Sequence, residues 1–158
     1  SLRRRQRQMC IRDRPNIDVI KDSKAPVVLT PHPCEMARLI GDSVASVCAS
    51  RIETAKAFAK EYSCIMVLKG ANTVVTDGDS VFVNITGNPG MAMGGTGDML
   101  TGMIASFIAQ GMNAYAAARC AVYIHGKCGD ITAREISTRG MTIEDMLDLL
   151  GALMSEFE

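Results

Sequence analysis

The sequence predicts an α/β domain, and three observations lead to that class. An apolar strand over Pro26–Pro31 and another over Cys64–Lys69 flank a stretch with helical spacing, which makes one parallel strand, helix, strand crossover. Two further apolar runs, Thr73–Thr76 and Val81–Ile85, flank Asp77-Gly78-Asp79-Ser80, a strong hairpin signal because Asp-Gly accommodates the positive φ of a tight turn. A glycine-rich run from Thr86 to Asp98 then opens a long apolar helix, the arrangement of an α/β domain whose ligand loops sit at strand ends.

Each element follows from local chemistry. Pro31 and Pro33 end the first strand, since proline cannot donate to a sheet ladder. Glu35–Ile40 forms a short helix stopped by Gly41. Asp42 or Ser43 caps a longer helix expected to run to about Tyr62, with Val44, Val47, Ile52, Ala55, Phe58 and Ala59 on one buried face. Met99–Gln110 has few polar positions and is expected to be buried on most sides, with Gly111 as its stop. Asn113 caps the next helix, which runs through Tyr115, Ala118, Val122 and His125 towards Ile131 or beyond, with Gly126 and Gly129 expected to weaken its middle. His125, on an apolar helix face, reads as a core or interface histidine. Thr142 caps the last helix, Glu144 and Asp145 suit its positive end, and Met146, Leu149, Leu150 and Leu153 form its apolar stripe.

Composition narrows the function. With 158 residues, 47% of them hydrophobic, the chain can bury one core but not two. Its apolar stretches are too short and too interrupted by charge to span a bilayer as a helix, so no membrane role is expected. Net charge is zero, yet Ser1–Arg14 holds six Arg and one Asp, which leaves 11 basic and 16 acidic residues in the remainder. A mildly acidic body argues against nucleic acid as a partner. The arm of residues 1–14 is compositionally foreign to the rest of the chain and is expected to be adapter-derived, with the domain proper over residues 15–158. Six cysteines without a Cys-x-x-Cys pair read as reduced core or near-core thiols of a cytoplasmic protein. The two histidines, His32 and His125, stand apart, which argues against structural zinc.

The chemistry concentrates in Thr86-Gly87-Asn88-Pro89-Gly90-Met91-Ala92-Met93-Gly94-Gly95-Thr96-Gly97-Asp98. Glycines let backbone approach a ligand closely, and the free N–H groups and positive dipole end of the following helix favour an anion. A carboxylate beside a phosphate is repelled by it, so Asp98 makes sense there as a base taking a proton from a hydroxyl. An Asp in a first turn also serves as a helix cap, and the run alone leaves both roles open. Met91, Met93, Met99 and Met103 read as packing around the loop.

Three segments in order sharpen this. Thr30-Pro31-His32-Pro33-Cys34-Glu35, Lys69-Gly70-Ala71-Asn72-Thr73 and Asn88 to Asp98 resemble the TPHPGE, KGAxT and NPGMAxGGxGD segments of the ADP- or ATP-dependent NAD(P)H-hydrate dehydratases. The resemblance, which extends from about Val27 to the end of the chain, implies a ribokinase-like α/β fold, with a mostly parallel central sheet flanked by helices. It also implies that the chain is the carboxyl-terminal part of one such domain, truncated on its amino-terminal side.

The implied reaction is the repair of hydrated NADH or NADPH, through phosphorylation of the S-epimer and loss of phosphate. By the same resemblance Asp98 is the catalytic base, with Gly95, Thr96 and Gly97 around the transferring phosphoryl group. His32 and Asp98 bind the hydrate, and Lys69, Gly70, Ala71, Asn72, Thr73 and Gly97 bind the adenine nucleotide. ADP or ATP is the implied co-substrate, magnesium is expected with it at a site no motif identifies, and a homo-oligomer such as a tetramer is implied. An NAD(P)HX epimerase is the implied functional partner. Cys34 stands where the family has Gly, so a left-handed backbone there would strain the loop. Two other readings share these features: a ribokinase-like kinase of a small alcohol or vitamin precursor, and an inactive nucleotide-binding fragment.

Overall fold

Four strands form one sheet in the order β1 (Val28–Leu29), β2 (Ile65–Leu68), β3 (Val74–Thr76) and β4 (Val81–Val83). The computed structural model describes residues 14–155, so the arm read from composition lies, Arg14 excepted, outside the described residues. β1 and β2 pair in parallel, with Val28 opposite Ile65 and Leu29 opposite Met66, as the crossover requires. β3 then runs antiparallel to β2, Leu68 facing Val74, and the four residues between β3 and β4 allow only a hairpin. The parallel character expected of the sheet is thus carried, in this chain, by the β1–β2 pair. The described residues fall into two units, one of residues up to Gly70 with Val74–Phe82, the other of Ala71–Thr73 with Val83 onward.

In the first unit the crossover is made of α1 (Pro33–Ile40), α2 (Val44–Ala49) and α3 (Arg51–Tyr62). The single helix expected from Ser43 to Tyr62 is therefore two, broken at Ser50, whose φ of −135° and ψ of 47° leave the helical region. The break changes which side of the second segment faces inward. Val44 and Ile52, which one continuous helix would bury, are exposed, whereas Val47, Ala55, Phe58 and Ala59 join Met36, Met66 and Leu68 in the core. Each large apolar side chain so buried contributes about 1.5–3 kcal/mol, so this cluster is what holds the helices to the sheet. Cys34 sits in the first turn of α1, and the left-handed non-glycine residues among those described are Ser63, Asn72 and Ser137, so the strain foreseen for Cys34 does not arise.

The hairpin turn is held by its own side chains. Asp77 accepts from the Ser80 and Asp79 amides at 2.7 and 3.0 Å, and the Ser80 bond is the main reason its carboxyl sits below the ordinary value. Gly78 adopts a φ of 99° and lies so close to α3 that a Cβ there would stand 2.9 Å from the Lys60 backbone.

The second unit contains α4 (Thr96–Ala109), α5 (Ala114–Glu135) and α6 (Ile143–Met154). Asn113 caps α5, and Thr142 forms a capping box with Asp145, as their residue types dictate. α4 buries Met99, Leu100, Met103, Ile104 and Phe107 but exposes Thr101, Gly102, Ala105, Ser106 and Ala109. In this chain it is covered on one side, where its apolar composition predicts burial on most sides. α5 runs unbroken through Gly126 and Gly129, so these glycines do not interrupt it.

Among the described cysteines only Cys64 and Cys128 are buried, and burial pushes the Cys64 thiol up to about 11. Cys34, Cys48 and Cys120 are exposed, which corrects the reading of the cysteines as core or near-core thiols for these three. Among the described residues no helix is long and apolar enough to cross a membrane. Gly78→Ala is expected to lower stability by about 1–3 kcal/mol, through an unfavourable φ and overpacking on α3 together, read as a fall in the urea midpoint.

Candidate active site

The first unit supplies two neighbouring loops. The Lys69 amide donates to the Pro31 carbonyl at 2.8 Å, so the loop after β2 lies alongside the loop after β1. His32 is the N-cap of α1 and forms a capping box with Glu35. Its Nδ1 accepts from the Glu35 amide at 3.2 Å, while its own amide donates to Glu35 Oε2 at 2.8 Å. An accepting Nδ1 places the proton of the neutral ring on Nε2, which stands 3.3 Å from Glu35 Oε1. Lys69 Nζ lies 3.9 Å from Glu35 Oε2, with only 28% of its side chain exposed. Glu35 therefore joins the two residues that the sequence places in the substrate and nucleotide loops.

Arg51 is the second group in this unit that sequence reasoning missed. Its Nη2 donates to the carbonyls of Leu68 and Lys69 at 3.0 and 3.2 Å. A Cβ at Gly70 would stand 3.1 Å from that same Nη2, so the missing side chain at Gly70 is what gives the guanidinium room. Nothing in the sequence distinguishes Arg51 from a solvated helix residue, because its partners are carbonyls 17 and 18 positions away. Glu35 did carry a signal, its place three residues after an N-cap, although His is an unusual cap.

The nucleotide loop is divided between the units, with Lys69 and Gly70 in the first and Ala71, Asn72 and Thr73 in the second. Asn72 takes a left-handed φ of 55° and donates from Nδ2 to the Asn84 carbonyl at 3.2 Å. The Asn84 amide donates to the Thr73 carbonyl at 2.9 Å, which ties this loop to the segment that leads into the glycine run.

The glycine run ends in the first turn of α4. Gly95 is the N-cap, with a φ of 99° that glycine adopts without strain. Thr96, Gly97 and Asp98 follow as the first helical residues, and no side chain caps this end, as at α3 and in contrast to α1, α2, α5 and α6. Asp98 is exposed in that first turn and is not the N-cap, and its charge there also suits the positive end of the helix dipole. Thr96 is 8% exposed, and its hydroxyl is 3.0 Å from the carbonyls of both Met91 and Met93, bracing the loop against the turn. An uncapped turn of backbone donors beside an exposed carboxylate can hold a phosphoryl group and accept a proton from a hydroxyl.

Fold and loops together define a ribokinase-like α/β protein. A ribokinase-like superfamily protein from Enterococcus faecalis superposes with a TM-score of 0.73 at 30% identity, over 85% of this chain and 46% of that one. The chain belongs to the NAD(P)H-hydrate dehydratase family, whose profile matches residues 10–151. It is 44% identical over 141 residues to the bifunctional NAD(P)H-hydrate repair enzyme of Moorella thermoacetica, covering 89% of this chain and 27% of that protein. The ADP-dependent (S)-NAD(P)H-hydrate dehydratase of Bacillus subtilis is 39% identical, over 85% of this chain and 49% of its own length. A crystal structure of the Bacillus subtilis ADP/ATP-dependent enzyme, co-crystallized with ATP and Mg2+, superposes with a TM-score of 0.80 at 38% identity, over 84% of this chain and 48% of that one. The chain thus spans half or less of the length of these relatives.

The His32–Glu35 pair makes a direct prediction about stability. Glu35→Ala should cost about 1 kcal/mol in urea unfolding through loss of the capping box, and Glu35→Gln, which keeps an acceptor for the His32 amide, less than half of that.

Proposed function

We propose that the protein carrying this chain dehydrates the S-epimer of hydrated NADH or NADPH at the expense of ADP or ATP. The observation that carries the reading is the uncapped first turn of α4, Gly95 to Asp98, with an exposed carboxylate in it. The hydrate's ring hydroxyl gives its proton to Asp98 and attacks the terminal phosphorus of the nucleotide. The bond to the leaving AMP, or to ADP when ATP is used, breaks. Backbone N–H groups of Gly95, Thr96, Gly97 and Asp98 face the charge on the transferring phosphoryl oxygens. Phosphate, a far better leaving group than hydroxide, then departs as the neighbouring ring carbon loses a proton, which restores the reduced nicotinamide.

The other loops divide the remaining work. His32 contacts the hydrate together with Asp98, while Lys69, Gly70, Ala71, Asn72, Thr73 and Gly97 bind the adenine nucleotide. Glu35 fixes the face His32 presents, and Arg51 fixes the carbonyls of Leu68 and Lys69. Among the described residues no group of three or more His, Cys, Asp or Glu is gathered to hold a metal. Magnesium is expected to arrive with the nucleotide, held chiefly by its phosphates, and no residue of this chain is assigned to it. Bound with the nucleotide, magnesium supplies neutralisation of phosphate charge. A homo-oligomer in the cytoplasm, working beside an epimerase that interconverts the two hydrates, belongs to the same reading. The epimerase partner alone draws support from the relatives, some of which are named bifunctional NAD(P)H-hydrate repair enzymes.

The test is the full-length gene product assayed with hydrated NADH and either nucleotide. Recovery of reduced-nicotinamide absorbance with release of phosphate is expected, and absence of turnover with both nucleotides would remove the reading. A stable phosphorylated product would favour the small-alcohol kinase instead. Asp98→Asn is expected to lower kcat by about 10²–10⁴, with the nucleotide KM changed by no more than a few fold.

A further inference from the structure

The longest helix carries two interior glycines, each of which weakens a helix by about 0.5–1 kcal/mol relative to alanine. α5 nonetheless runs 22 residues without a break. What the glycines do becomes visible from the loop lying on them. A Cβ at Gly126 would stand 2.7 Å from the Thr86 carbonyl carbon and 2.8 Å from its oxygen, and one at Gly129 would stand 2.6 Å from Met91 Cγ. The two positions, three apart on one helix face, form a notch that receives the start and the middle of the glycine run.

Asp130 lies on the same face, four residues after Gly126, and closes the notch. Its Oδ2 accepts from the Gly87 amide at 2.8 Å and its Oδ1 from Asn88 Nδ2 at 3.0 Å. Both carboxylate oxygens are thus turned to N–H donors of the loop, which leaves Asp130 poorly placed as a base or a metal ligand. The links continue from there. Asn88 Oδ1 accepts from the Gly90 amide at 3.0 Å, and the Thr86 hydroxyl donates to the Tyr123 carbonyl on the same helix at 2.9 Å. At the far end of the run the Thr96 hydroxyl bonds the Met91 and Met93 carbonyls. The run is pinned to α5 where it begins and to the first turn of α4 where it ends.

We infer that Asp130 is a positioning residue that sets the geometry of the Gly95–Asp98 cradle through Gly87 and Asn88. This rests on the reading of that cradle as the phosphoryl-transfer site. Charge-assisted bonds to a carboxylate are roughly twice as strong as neutral ones, so a single acid on a rigid helix can hold a glycine-rich segment that would otherwise sample many conformations. Transition-state stabilisation by backbone donors depends on their being fixed in advance, and a displacement of about 1 Å can cost about 10²-fold in rate. The contribution of Asp130 is therefore to kcat rather than to nucleotide binding, because its bonds go to Gly87 and Asn88, which are not among the residues read as binding the nucleotide.

The test uses the full-length gene product and compares wild type with Asp130→Asn, in which an amide N–H2 faces one of the loop donors. The expected result is a fall in kcat of roughly ten- to a hundredfold with the nucleotide KM within threefold, together with faster amide hydrogen exchange confined to residues 87–98. A kcat within threefold of wild type would overturn the inference. So would a loss in which exchange protection across α5 collapses along with kcat, since that is what a merely structural role produces. Should Asp130→Asn not fold, Asn88→Asp keeps the acceptor for the Gly90 amide but replaces the donor to Asp130 with a like charge, and decides the matter: an unchanged kcat contradicts the inference, and at least a threefold loss at unchanged nucleotide KM supports it. If wild type itself turns over no hydrate, the functional reading fails, while the exchange of residues 87–98 in the variant still decides whether Asp130 positions the loop.

Discussion

The docking of a glycine-rich loop onto a notched helix is the constraint on which the second unit depends. Glycine-rich backbone has the largest conformational entropy to lose on ordering, so a preformed anion cradle needs an external template. α5 provides it in three ways: absent side chains at Gly126 and Gly129, a backbone carbonyl at Tyr123, and the carboxylate of Asp130. Met91 then fills the space above Gly129, and Gly90 is held against Thr138 and Met141, where a Cβ would clash with both. The penalty of glycine within a helix is offset by an approach that no larger residue permits.

The first unit follows the same logic with different chemistry. Two loops at the ends of β1 and β2 are set side by side by one backbone bond, from Lys69 to Pro31, and two charged side chains fix them further. Glu35 meets His32 and Lys69, and Arg51 meets the carbonyls of Leu68 and Lys69. The break at Ser50 belongs to this arrangement, because Arg51 is the first residue of α3. A continuous helix would carry that residue in a different register. In both units helix side chains, Glu35 and Arg51 in the first and Asp130 in the second, hold the loops together with backbone groups.

Much of this was legible in the sequence, for identifiable reasons. Strands, hairpin and caps follow from local preferences, so β2, the Asp77–Ser80 turn and the caps at Asn113 and Thr142 lie where residue type places them. The glycine run and its helix are local as well. The break at Ser50 was not legible, since Val44, Val47, Ile52 and Ala55 keep a helical spacing across it and only the folded backbone reveals the change of register. The functions of Gly126, Gly129 and Asp130 were hidden for a different reason. Their partners lie some 40 residues earlier in the chain, and a glycine in a helix looks the same whether it is a flaw or a seat. Arg51 was invisible on the same grounds.

The most direct measurement is a crystal structure of the full-length protein with a non-hydrolysable adenine nucleotide and magnesium. A preformed cradle predicts terminal phosphate oxygens about 2.7–3.1 Å from the amides of the first turn of α4, with Gly87 and Asn88 still bonded to Asp130. Phosphates bound elsewhere, with the Gly95–Asp98 amides facing solvent and the run lifted from α5, would contradict it.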